Sequence, residues 1–90
     1  MPHLDTLTGL YSRAETISCV QALARESGIE RIAIVDVEIL RFGSINNAVG
    51  TDTADKIIKT AANRLIRQFS HATVIGRLHG DHFCLVFNQP

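Results

Sequence analysis

Ninety residues, 46% hydrophobic and 20% charged with a formal net charge of zero, describe one small globular domain and exclude a disordered or fibrous chain. Nine basic residues balanced by nine acidic ones leave none of the positive footprint of a protein that grips phosphates along a nucleic acid, so nucleic acid is not an expected partner. No apolar run approaches the roughly 20 residues of a membrane span. The N-terminus MPHLDTLTGL lacks the basic-then-apolar order of a signal peptide, which predicts a soluble, cytoplasmic chain with no membrane span.

Residues 1–13 mix turn formers with Leu4, Leu7 and Leu10, which predicts an ordered lead-in pinned to a core by its leucines. A helix over 13–27 follows. Ser12 and Glu15 have the spacing of a capping box, Ile17, Val20, Leu23 and Ala24 form an apolar stripe, and Gly28 is placed to end the helix. Cys19 and Cys84 lie inside apolar patterns without tight spacing, as reduced core thiols do.

Residues 31–40, RIAIVDVEIL, are β-branched and nearly continuous in apolarity, the pattern of a central strand covered on both faces. Asp36 and Glu38 interrupt it two residues apart, hence on one face near the strand's end. A buried carboxylate needs a partner or a metal, so either one of these acids meets such a partner or both project into solvent. Phe42 to Gly50 reads as a loop whose asparagines suit either a nucleobase edge or their own backbone. Asp52 then reads as an N-cap with Asp55 in the first turn of a helix over 52–69. Its apolar residues run from Ala54 to Phe69, and its lysines and arginines form a solvated face.

Residues 73–87, TVIGRLHGDHFCLVF, predict a β-hairpin. Two apolar runs flank His79, Gly80, Asp81 and His82, and Gly-Asp supplies what a tight reversal needs. The tip is either a solvated turn or part of a site. A strand, a crossover helix and a second strand place the two strands parallel, and a third strand inserted between them makes an α/β (α+β) split βαβ sheet of ferredoxin-like type. In that sheet Glu38 and Asp81 meet at one edge, where two carboxylates with open water positions suit Mg²⁺ beside substrate phosphates.

So laid out, the chain resembles the N-terminal half of a GGDEF domain, the diguanylate cyclase fold of bacterial cyclic-di-GMP signalling. Asp5-Thr6-Leu7-Thr8-Gly9-Leu10-Tyr11-Ser12-Arg13 looks like the family's entry motif. Phe42, Ile45, Asn46, Gly50 and Asp55 follow its spacing, and Arg77-Leu78-His79-Gly80-Asp81-His82-Phe83 falls where Arg-x-Gly-Gly-Asp/Glu-Glu-Phe belongs. The likeness covers nearly all of the chain, and the family's last helix and strands are missing. It implies a nucleotide-cyclase sheet with an open edge on its first strand, and thus a homodimer or swapped dimer through that edge.

The resemblance also implies site residues. Asn46 and Asp55 match the pair that reads the guanine of GTP, Asp81 matches a metal-binding acid, and Glu38 matches the first metal-binding aspartate when no gap is placed before Phe42. A competing register takes Asp36 and Glu38 as the metal pair. Leu40 replaces a second aspartate, and His79 and His82 replace the first glycine and the final acid of the signature His79, Gly80, Asp81, His82, Phe83. The departures imply a degenerate domain without a confident catalytic residue, regulatory or GTP-sensing, with Mg²⁺ only alongside nucleotide. Its partner would be an attached signalling domain such as a phosphodiesterase. The alternative is a weakly active cyclase in the full-length dimer. A third reading gathers His79, His82 and Asp81 into a transition-metal site.

Overall fold

The computed structural model describes residues 1–89. After the lead-in come α1 (Arg13–Ser27), a single 3-10 turn (Ile29–Arg31), β1 (Ile32–Glu38), α2 (Phe42–Val49), α3 (Thr51–Gln68), β2 (Val74–His79) and β3 (His82–Asn88). The three strands lie in the order β1-β3-β2, and β3 runs antiparallel to both neighbours. The first two strands are therefore parallel and split by the third, with α1 against one face of the sheet and α3 against the other.

The middle strand carries the core. Phe83, Leu85 and Val86 are fully buried, and each such side chain contributes about 1.5–3 kcal/mol by leaving water. Side-chain alternation splits the burial into two clusters. Phe83 packs with Leu10, Ile58 and Ala62 on the α3 side, while Cys84 and Val86 pack with Val74 on the α1 side.

The α1 stripe differs from the expected one. Thr16 is buried and Cys19, Val20 and Leu23 pack beside it, whereas Ile17 is exposed, so the buried face begins one residue earlier than the apolar residues indicate. The reason lies opposite Thr16. A Cβ on Gly76 of β2 would sit 1.9 Å from the Thr16 hydroxyl, so helix and strand approach to a distance that only glycine permits. The Thr16 hydroxyl is itself satisfied by the Ser12 carbonyl at 2.8 Å.

The capping box is half formed. Ser12 Oγ accepts from the Glu15 amide at 3.1 Å, but Ser12's own amide donates to the His3 carbonyl, and the Glu15 carboxylate accepts from the His3 amide at 2.8 Å. The lead-in folds back on itself and takes the reciprocal bond. Leu10 is buried and Leu7 joins its cluster, while Leu4 is exposed and holds on through a bridge to Tyr11 instead.

Three further expectations are corrected. β1 is not covered on both faces, because it lies at the sheet edge where the split topology puts it, and residues 33–36 are exposed. Phe42–Val49 is helical rather than a loop. Arg41 turns the chain into it at φ 58°, and Phe42 packs against the α3-side core, which outweighs the weak helix preference of Gly43 and the two asparagines. Finally, Gly50 at φ 84° caps α3 without a side-chain bond, so Asp52 falls inside the first turn and Asp55 beyond it.

The two edges of the sheet are treated differently. Beside β2, Tyr11 donates to the Ile75 carbonyl at 3.1 Å and accepts from the Arg77 amide at 2.9 Å, so the lead-in covers that edge. On the outer side of β1, away from β3, no strand pairs among the described residues.

Candidate functional site

The parallel ends of β1 and β2 converge on the hairpin turn. Glu38 pairs across the ladder with His82, and the Ile39 amide donates to the Asp81 carbonyl at 3.2 Å, which ties the end of β1 to the turn. Gly80 takes a positive φ of 47°, which lets His79 and His82 face each other across a two-residue turn. Backbone pairing thus brings Glu38 and Asp81 together.

His82 stands between these acids. Its Nε2 lies 3.3 Å from Glu38 Oε2 and 3.8 Å from Asp81 Oδ1. One ligand atom from each of the three residues lies within 4.8 Å of the others. Glu38 is exposed at the strand end, while Asp81 and His82 are half-buried. The His79 ring centroid is 4.5 Å from that of His82, but His79 is exposed and is not one of the grouped ligands. Glu38 therefore takes the place that a cluster of His79, His82 and Asp81 would have given to the first histidine.

Asp36 shares a face with Glu38 but stands opposite Cys84, two pairs further along the ladder. Burial, then the nearby Asp36 charge, pushes the Cys84 thiol up. Cys84 and Cys19 are both free thiols.

A second pair was hidden in the sequence. Arg77 Nη1 lies 3.2 Å from Asp5 Oδ2, and Arg77 Nε donates to the Gly80 carbonyl at 2.9 Å. One guanidinium thus links the lead-in to the turn. Asp5 Oδ2 also accepts from the Thr8 amide and hydroxyl, at 2.9 and 2.7 Å. Burial pushes the Asp5 carboxyl up, but the Thr8 hydroxyl and amide and the Arg77 guanidinium outweigh it and hold the group below its usual range. The only signal was that both residues sit in the quoted motifs.

Asn46 lies in α2 and Asp55 in α3, on either side of the Gly50 break, and both are half-buried. A cavity of about 530 Å³ lies elsewhere. Val37, Ile39, Phe83, Ile57, Ala61 and Leu65 provide its apolar lining, on the α3 side of β1, and it contains neither the carboxylates nor Asn46 and Asp55. The cavity lies between the exposed flank of the sheet and α3, whereas the polar cluster gathers three ligating side chains at the strand ends. No helix among the described residues is long and apolar enough to cross a membrane.

Comparison with known proteins agrees with this architecture. The signaling protein YkoW of Bacillus subtilis is 34% identical over 91 residues, and the cyclic di-GMP phosphodiesterase NbdA of Pseudomonas aeruginosa is 32% identical over 89. They cover 99% and 96% of this chain, which spans only 11% of the length of each. The solved GGDEF domain of TpbB from P. aeruginosa superposes with a TM-score of 0.86 at 27% identity, over 98% of this chain and 52% of that one. The family profile described as "Diguanylate cyclase, GGDEF domain" matches residues 2–90. With its split sheet, its hairpin turn and a profile match along almost its whole length, the chain belongs to the GGDEF domain family.

Proposed function

We propose that this GGDEF domain serves cyclic-di-GMP signalling as a regulatory, nucleotide-responsive module rather than as an efficient cyclase. The observation that carries the reading is His82, whose imidazole lies 3.3 Å from Glu38, at the signature position where the family has an acid. Joining two GTP molecules requires offsetting the charge that builds on the attacked phosphate. Glu38 and Asp81 supply oxygen ligands, but an imidazole adds no negative charge and is a poor partner for a hard cation. The donor set therefore fits Mg²⁺ poorly. Losing one electrostatic element of this kind typically costs about 10²–10³ in rate.

Asn46 and Asp55 are assigned to reading the guanine of GTP, with an amide and a carboxylate as complementary donors and acceptors for the base edge. Binding there would pass to an attached domain as a shift in population. The match to a relative named as a phosphodiesterase supports an output domain of that type.

The test is to incubate the full-length protein with GTP and Mg²⁺ and to titrate GTP by calorimetry. The expected outcome is GTP binding that weakens about tenfold or more in Asn46→Ala, with little or no cyclic di-GMP. Steady product formation that disappears in Asp81→Ala would overturn the regulatory reading in favour of a working cyclase. Absence of GTP binding would leave only an interaction scaffold.

A further inference from the structure

We infer that Glu38, Asp81 and His82 bind a divalent cation of the zinc class, without nucleotide and in preference to Mg²⁺. The inference takes over the placement of the two acids from the functional reading but needs no bound GTP. Zn²⁺ holds imidazole nitrogen and carboxylate oxygen at about 2.0–2.2 Å, which sets neighbouring donors in a tetrahedral shell about 3.3–3.6 Å apart. The separation of His82 Nε2 from Glu38 Oε2 is 3.3 Å and from Asp81 Oδ1 3.8 Å, and one ligand atom from each of the three residues lies within 4.8 Å of the others, so side-chain rotation brings the donors into such a shell.

The donors are also well supported. Glu38 and His82 are ladder partners, Asp81 is held by the bond from the Ile39 amide, and the neighbouring Phe83 is fully buried. Three protein ligands leave one position open to water or phosphate, as in zinc sites that act on a substrate. Imidazole suits zinc, cobalt and nickel, whereas Mg²⁺ selects an all-oxygen octahedron, so His82 decides the class of ion. The His79 ring beside His82 limits its rotation.

The experiment titrates ZnCl₂ and, separately, MgCl₂ into the metal-stripped full-length protein by calorimetry without nucleotide, and records the visible spectrum of the Co²⁺-loaded protein. The expected result is one Zn²⁺ bound at least about 100-fold more tightly than Mg²⁺. His82→Gln is expected to weaken Zn²⁺ by about tenfold or more and to shift the Co²⁺ bands. His82→Glu should narrow the gap between Zn²⁺ and Mg²⁺. Should His82→Gln fail to fold, Glu38→Gln at the exposed strand end reads the same loss. Absence of saturable Zn²⁺ binding, or an affinity unaltered in both the His82→Gln and Asp81→Asn proteins, would overturn the assignment. Loss of GTP binding in Asn46→Ala with Zn²⁺ binding retained separates this inference from the nucleotide reading.

Discussion

Asp5 and Arg77, 72 positions apart in sequence, meet at 3.2 Å with their side chains only 21% and 16% exposed. The pair fastens the start of the chain to the hairpin turn. Because folding lowers the Asp5 pKa, its contribution is fully present above the unfolded value of about 3.8 and is lost as pH falls through the lower folded value. Asp5→Asn is expected to cost about 2–3 kcal/mol at neutral pH and to flatten the acid limb of the stability curve. Urea denaturation at a series of pH values measures both effects. An unchanged acid limb would count against the pair.

The contact between Gly76 and Thr16 gives a second expectation. Gly76→Ala places a methyl group 1.9 Å from the Thr16 hydroxyl, so α1 must move off the sheet. The expected loss is about 1–3 kcal/mol. Thr16→Ala on the same background should recover part of it, because it removes the obstructing atom. Chemical denaturation of the four proteins of the cycle tests this coupling.

The open edge of β1 makes the third. Ile34 and Val35 are 55% and 44% exposed beside unpaired backbone groups, a combination that favours strand-to-strand association. Val35→Lys is expected to reduce concentration-dependent association of the 90-residue chain in sedimentation velocity. Identical profiles for the two chains would show that the edge is not the contact.

A fourth prediction concerns the turn. If His79 and His82 limit cyclase chemistry, His79→Gly with His82→Glu restores the family's residues at both positions. The expected gain is about 10²–10³ in cyclic di-GMP formation by the full-length protein with Mg²⁺. A double variant as inactive as its parent would locate the deficit elsewhere, with Leu40, which replaces an aspartate, as the next position to restore.

Much of this architecture was legible because it depends on periodicity and topology. The alternation through Phe83, Leu85 and Phe87 and the apolar repeat of α3 mark a strand and a helix, and the parallel pair follows from their order. From that order the meeting of Glu38 and Asp81 could be worked out before any distance was known. The rest depends on what lies next to each residue. Neighbours decide that Ile17 faces solvent while Thr16 is buried, that residues 33–36 of β1 are left exposed, and that Phe42 draws an asparagine-rich stretch into a helix. The same holds for His82. Sequence shows that it replaces an acid, but its position between two carboxylates comes only from strand register.

The position of β3 also has a consequence for synthesis on the ribosome. Every ladder bond of β1 goes to β3, so Ile32 must wait for Asn88 and Glu38 for His82. While the nascent chain emerges, α1 and α3 form from local contacts, but these strands have no middle until β3 is out. Closure is thus a late, non-local event, of the kind that slows folding, and in the interval β1 has only solvent or a chaperone to cover it.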